Sequence, residues 1–370
     1  MNQVLSYLPR PDLQVLIEAL QAAGFRCVGP RAVDSAIRYD ALNDVAQLPW
    51  GVTDMQAPGH YRLSDSDTAR CFAWANGPQA LKPFLFAPRE NLWTSRRAAD
   101  GGLHFDETLP EAMPLAVIGV RPCDLAALAL HDQHFLRQAV SDPYYARRRE
   151  ALFLVAVNCT HPAATCFCVS TGDGPRATYG YDLALTELDD GYLVAAHSER
   201  GRAIAAVLPL EAAAAAQVAA ADVALQQAAD SQSRRLPGTH LQAPLFANLN
   251  HPRWDEVAER CLSCGNCTSV CPTCFCYSAH DQPTLTGDQV EHYREWDSCF
   301  TQGHSYIHGI TIRAETAPRY RQWLTHKLGS WHAQYGRSGC VGCGRCIAWC
   351  PVGIDLTEEA AAICGEVAPA

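Results

Sequence analysis

Sixteen residues, Cys261 to Cys276, hold six cysteines in the order CLSCGNCTSVCPTCFC. Sulfur at this density forms disulfides in exported chains and serves metal or redox chemistry where thiols stay reduced. The spacing decides between them. Cys261, Cys264, Cys267 and Cys271 follow the order C-x2-C-x2-C-x3-C before Pro272, and Cys340, Cys343, Cys346 and Cys350 repeat it before Pro351. Two residues between cysteines let a tight loop bring three thiolates to one face of a [4Fe–4S] cube, while the fourth, past a short turn, serves the other cube. The repeat therefore predicts two cubes with crossed ligands. Cys261, Cys264, Cys267 and Cys350 hold one; Cys340, Cys343, Cys346 and Cys271 hold the other. Gly265, Gly342 and Gly344 supply the backbone freedom that such loops need, and the prolines redirect the chain. Structural zinc also takes Cys-x2-Cys pairs in fours, so a structural zinc-binding protein is the alternative. Two complete runs, each closed by proline, favour iron.

Six more cysteines fall into short motifs: Cys159, the pair Cys166 and Cys168, the pair Cys274 and Cys276, and Cys299. Both pairs sit in the same four letters, TCFC, and a Cys-x-Cys pair in an extended segment points both side chains to one side. Together they either hold a third [4Fe–4S] cluster where two domains meet or fill space around the core aromatics Phe167 and Phe275. The cluster's best ligand set is Cys159, Cys166 and Cys168, completed by Cys299 or by one of Cys274 and Cys276. Cys123, in RPCD, reads as a packed thiol at a strand-to-helix turn, and Cys27, Cys71 and Cys364 read as buried thiols. His304 and His308, four apart in GHSYIHG, read as core or surface histidines rather than ligands. Arg260 and Arg345, beside ligand cysteines, read as charges that tune a cluster or meet a partner.

These groups need a frame. LAVIGV (115–120) reads as a buried strand, RPCD as a turn, LAALALHDQHF as a helix and ALFLVAV (151–157) as a second buried strand. LALTELDDGYLVAAH (183–197) carries two alternating segments around Asp190-Gly191, the pattern of a hairpin. The N-terminal stretch to Phe25 has the Leu and Ile spacing of an amphipathic helix, and the alanine-rich stretch 203–229 reads as one soluble helix. Residues 230–244, polar with two prolines, read as a linker. The fold class is then α+β. An N-terminal α/β-type domain, 1–245, carries partner docking and the third-cluster site, and is joined to a C-terminal bacterial-type dicluster ferredoxin domain, 246–370, with a long insertion. The insertion is the stretch of 68 residues between Cys271 and Cys340, rich in aromatics and expected to pack on the N-terminal domain or on a partner.

Composition excludes several classes of function. Of the 370 residues 48% are hydrophobic and 18% charged, which describes a folded chain. A net charge of −10 offers no basic face to nucleic acid. The N-terminus lacks a basic leader with an apolar core, and no stretch is apolar enough to span a membrane, so a cytoplasmic location is expected. No GxGxxG opens a helix after a strand and there is no P-loop; GDG at 172–174 reads as a turn. Reducing equivalents must then come from another protein.

Taken together, GVRPCDLAAL, NCTHPAATCFCVSTGDGP, CLSCGNCTSVCPTCFC, WDSCF and HKLGSWHAQYGRSGCVGCGRCIAWCPVGID resemble the iron–sulfur β subunit of soluble NiFe sulfhydrogenases and the corresponding iron–sulfur subunit of anaerobic sulfite reductase. The resemblance implies an electron-transfer subunit with no catalytic residues of its own. Such a subunit relays electrons between a flavin subunit using NAD(P)H and a catalytic partner, either a NiFe hydrogenase or a sulfite reductase. A redox protein that is active alone is the other alternative.

Overall fold

The computed structural model describes residues 5–79 and 81–365. LAVIGV and LFLVAV form strands Leu115–Val120 and Leu152–Val157, with every residue buried. Apolar runs of this kind, covered on both faces, belong at the centre of a parallel sheet, and these two pair in parallel. Strand Leu183–Glu187 extends the parallel set on one side and Arg26–Val33 on the other. The outer strands are antiparallel, completing a mixed sheet of eight. One face packs a core that includes Leu16, Ile17, Phe153 and Leu185; the other packs Val117, Leu125, Tyr145 and Leu154. The hairpin of Leu183–Glu187 and Gly191–Ala196 forms as its alternation predicts.

Three expectations change. RPCD is not a separate turn, because helix Pro122–Leu136 starts inside it with Pro122 at the first helical position, where its missing N–H is no loss. The N-terminal stretch is not one helix either. Leu5–Pro9 is a strand paired with Gly191–Ala196, and the helix runs only from Leu13 to Ala22, because Pro9 and Pro11 bar an earlier start. The alanine-rich stretch breaks at Pro209 into helix Glu199–Ala205, a two-residue strand Glu211–Ala212 and helix Ala215–Asp230. Residues 230–244 pack closely: Gln232 and Leu241 are buried, and Arg234 Nε donates to Asp355 Oδ2 at 2.6 Å.

A second, antiparallel sheet joins distant parts of the chain. Tyr277–Pro283 and Gln289–Trp296, both from the insertion, pair onto Arg89–Arg97 and through it Leu103–Glu107. The insertion thus packs on the N-terminal part, as its aromatic content predicts, and this sheet crosses the expected boundary at 245/246. Arg294, on the shared strand and buried, donates to Glu90 Oε2 at 2.7 Å and pairs with Asp142. No helix among the described residues is long and apolar enough to cross a membrane.

Candidate iron–sulfur centres

Both cysteine runs fold into the same device. Helix Arg253–Arg260 delivers the chain to Cys261, Gly265 turns it with φ 76°, and a helical turn Asn266–Ser269 carries Cys267. In the second run Gly344 turns the chain with φ 73° into the turn Arg345–Ala348, which carries Cys346. An amide two residues on faces the first sulfur of each run: Ser263 N donates to Cys261 Sγ at 3.4 Å, and Gly342 N to Cys340 Sγ at 3.5 Å. Ile354 N donates to Cys350 Sγ at 3.3 Å. Donors aimed at sulfur stabilise negative charge there and raise the potential of any cluster those sulfurs hold. Burial pushes the Cys340 thiol up to about 12, and the Gly342 amide opposes it.

The sulfurs gather in two groups. Cys261, Cys264, Cys267 and Cys350 line one pocket, walled by apolar Phe300, Tyr320, Trp323, Ile354 and Leu356, with Cys346 at its edge. Cys346 has Cys340, Cys343 and Cys271 as neighbours, then Cys267 of the other group. Each run's fourth cysteine therefore lies with the first three of the other run. Cys264 is exposed, whereas Cys271, Cys340 and Cys343 are buried.

Beside the second group sits a buried cation. A π-helical turn, His326–Ser330, places Lys327 in the interior, where its Nζ donates to Thr273 Oγ1 at 2.8 Å; that hydroxyl lies 3.2 Å from Cys271 Sγ. Burial works against the ammonium charge. The thiols of Cys271, Cys274 and Cys340 outweigh it and hold the lysine well above its ordinary range.

The six remaining cysteines do not form one set. Cys166 has Cys159, Cys168 and Cys343 as neighbours, and Cys168 has Cys159 and Cys343. Cys276 instead lies with Cys299 and His304, and its thiol is held down to about 6, chiefly by the hydrogen bond from Cys299. Cys274 lies beside Cys271 and Lys327, so the structure places Cys274, Cys276 and Cys299 against neighbours other than Cys159, Cys166 and Cys168. The two TCFC segments front different sites because the first packs on the second ferredoxin loop. Phe167 N donates to Gly342 O at 2.8 Å; a Cβ on Gly342 would lie 2.5 Å from Phe167 O, and one on Gly344 2.4 Å from Thr165 O. Glycine is needed at both positions for close approach as well as for φ.

Cys123, read as a packed thiol, has Cys343 and Cys168 as neighbours and packs with both. It follows strand Leu115–Val120 as Cys159 follows Leu152–Val157, so both sit at the carboxyl ends of adjacent parallel strands, where open α/β sheets present their ligands. Polar donors surround this set. Asn76 Nδ2 reaches Cys123 Sγ at 3.5 Å and Gln232 Nε2 reaches Cys168 Sγ at 3.3 Å. Arg121, 1% exposed, lies over the Trp74 ring and donates from Nη2 to the carbonyls of Phe72 and Trp74, while its Nε and Nη1 have no hydrogen-bond partner among the described residues. Burial raises the Cys159 thiol, and the nearby Arg121 charge works the other way. A buried guanidinium left half satisfied beside the Cys159 thiol fits an anionic group there.

Arg345 faces the interior. It is buried, with Nη1 at 2.7 Å and Nη2 at 3.0 Å from the two Asp124 oxygens, and it latches the second ferredoxin loop to helix Pro122–Leu136. Arg260 pairs with Glu359 at 2.8 Å. The residues that spacing missed are Cys123, His304, Arg121, Asn76, Gln232 and Lys327. Only Cys123 carried a signal, lying three residues past one strand end as Cys159 lies two past the next.

Fold and sulfur geometry together define an iron–sulfur protein with a dicluster ferredoxin module set on a mixed α+β body. Residues 260–354 match the family described as 4Fe-4S dicluster domain. The chain is 32% identical over 345 residues to "Sulfhydrogenase 2 subunit beta" of Pyrococcus furiosus, covering 89% of this chain and 90% of that one. The chain belongs to the sulfhydrogenase β-subunit, iron–sulfur family. It therefore carries 4Fe-4S clusters, which sets aside the structural-zinc alternative for the two runs. No solved structure matches it.

Proposed function

We propose that this chain relays single electrons in the cytoplasm between a flavin subunit using NAD(P)H and a catalytic partner, of NiFe hydrogenase type rather than sulfite reductase. The name of the Pyrococcus furiosus relative supports the hydrogenase-type partner. In this reading Cys261, Cys264, Cys267 and Cys350 hold one [4Fe–4S] cluster, and Cys340, Cys343, Cys346 and Cys271 the other. A third is held by Cys159, Cys166, Cys168 and Cys123. Each cluster supplies one-electron transfer, and the chain's own residues set its spacing, charge and exposure.

The observation that carries the reading is the unbroken succession of thiol groups. Exposed Cys264 opens the first group, Cys346 borders both ferredoxin groups, and Cys343 borders both the second group and the N-terminal set. Such a chain of sites runs from one surface, through the ferredoxin module, to the ends of the central strands. Cys166 Sγ even reaches Cys343 O at 3.9 Å.

Iron and sulfide analysis of anaerobically purified protein tests it. About twelve irons per chain are expected, falling to about eight when Cys123 or Cys166 becomes Ala, with the ferredoxin electron paramagnetic resonance signals kept. A wild-type content of about eight, unchanged in those variants, removes the third cluster. Full occupancy in Cys123→Ala with loss in Cys166→Ala removes only Cys123 from the set.

A further inference from the structure

We propose that Cys276, Cys299 and His304 hold a single zinc ion, separate from the iron–sulfur centres. Among the described residues they are the one group of three or more metal-binding side chains whose donor atoms all lie within 4.8 Å of one another. Tetrahedral ligands at about 2.1–2.3 Å from zinc stand about 3.4–3.8 Å apart, so this convergence suits one ion. A cube holds its thiolates further apart, at separate corners. Two thiolates and one imidazole form a borderline-soft set of the kind zinc takes, and they balance its charge.

The surroundings orient the ligands. His304 Nδ1 lies 3.0 Å from Asp297 Oδ2, which fixes the ring and leaves Nε2 for the metal, the arrangement of a carboxylate–histidine–zinc triad. Asp297 is itself held, accepting from Ser278 Oγ at 2.5 Å and from the Ser298 amide at 2.7 Å. The three ligands come from neighbouring elements. Cys276 directly precedes strand Tyr277–Pro283, Cys299 follows its antiparallel partner Gln289–Trp296, and His304 sits in the short turn Gln302–Ser305. An ion here clasps the open end of the hairpin to the turn after it. Cys276 and the positioning residue Asp297 also line a polar cavity of about 220 Å³, with Cys264, Cys274, Ser298 and Thr301, wide enough for a water ligand. The site thereby sits within reach of the first ferredoxin loop without sharing a ligand with it.

The test is metal analysis of the full chain, purified anaerobically with its clusters. Wild type should carry about one zinc per chain; Cys299→Ala and His304→Ala should lose it with iron unchanged, and Cys274→Ala should keep it. Asp297→Asn, which removes a positioning charge and no ligand, should weaken zinc 10–100-fold in chelator competition. Cobalt exchanged into the site should show thiolate-to-cobalt charge transfer and the ligand-field bands of a tetrahedral ion. If the variants fail to fold, the cobalt spectrum of wild type decides, and its absence overturns the proposal. So does zinc retained in His304→Ala. Loss of about four irons in that variant overturns it as well, by making the site a cube. The outcome is independent of the third cluster, whose cysteines are not touched.

Discussion

Lys327 is a buried ammonium placed beside the second cysteine group through a hydroxyl, and replacing it with methionine removes charge while keeping volume. The Nζ to Thr273 contact of 2.8 Å and the Thr273 to Cys271 contact of 3.2 Å keep the charge within about 6 Å of that sulfur. At an effective dielectric of about 20, a unit charge at about 6 Å is worth about 3 kcal/mol, or roughly 120 mV for one electron. This is a ceiling, because an added electron spreads over the whole cube and beyond Cys271 Sγ. Reduction makes a cluster more negative, so the lysine favours the reduced state and its loss must lower the potential. The expected result for Lys327→Met is a fall of about 50–120 mV in one cluster, read by anaerobic redox titration with electron paramagnetic resonance. The other ferredoxin cluster should move far less, and Lys327→Arg should stay near wild type. A rise, a fall below about 20 mV, or an equal shift of both clusters refutes the reasoning, since none follows from a single cation beside Cys271.

Three further outcomes are expected. Cys350→Ala should damage the cluster at Cys261, Cys264 and Cys267; damage confined to the Cys340–Cys346 site in spectroscopy would mean the ligands do not cross. Asp124→Asn should cost about 3–5 kcal/mol in denaturant unfolding, because it strands the buried Arg345 charge, both partners being 1% exposed; a cost under about 1 kcal/mol contradicts the latch. His131, buried with Nε2 unpartnered among the described residues, has its pKa lowered by burial to about 3. The unfolded chain therefore binds the extra proton between about pH 6.5 and 3, and stability drops by about 1.4 kcal/mol per unit as pH falls through that window. His131→Phe should flatten this part of the profile, and an unchanged slope counts against the assignment.

The two cysteine runs were legible because their chemistry is written in local spacing. Three cysteines in seven residues fix a loop, and the fourth follows after one more turn. The two central strands were legible for a similar reason, being short apolar runs bounded by turn signals. Local reading failed where proline overrode periodicity, at Leu5–Pro9 and around Pro209. It failed also at the second sheet, whose register joins residue 96 to residue 289 across a separation that no local pattern records.

The two TCFC segments show the physical limit most clearly. Both offer the same four letters, so sequence invites pooling their sulfurs into one site. What separates them is contact. Thr165–Cys168 lies against Gly342 and Gly344, which brings its sulfurs to Cys343, while Cys276 opens a hairpin whose far end returns Cys299 and His304 to it. Each set also gathers a residue from outside its TCFC motif: Cys123 by the adjacency of two parallel strands, and His304 by the turn that follows the hairpin. Spacing therefore specifies a site only when its ligands share one loop. Where ligands come from several elements, the fold chooses among the available donors, and the partly unsatisfied Arg121 beside one set and the Asp297-held His304 in the other mark where it has done so.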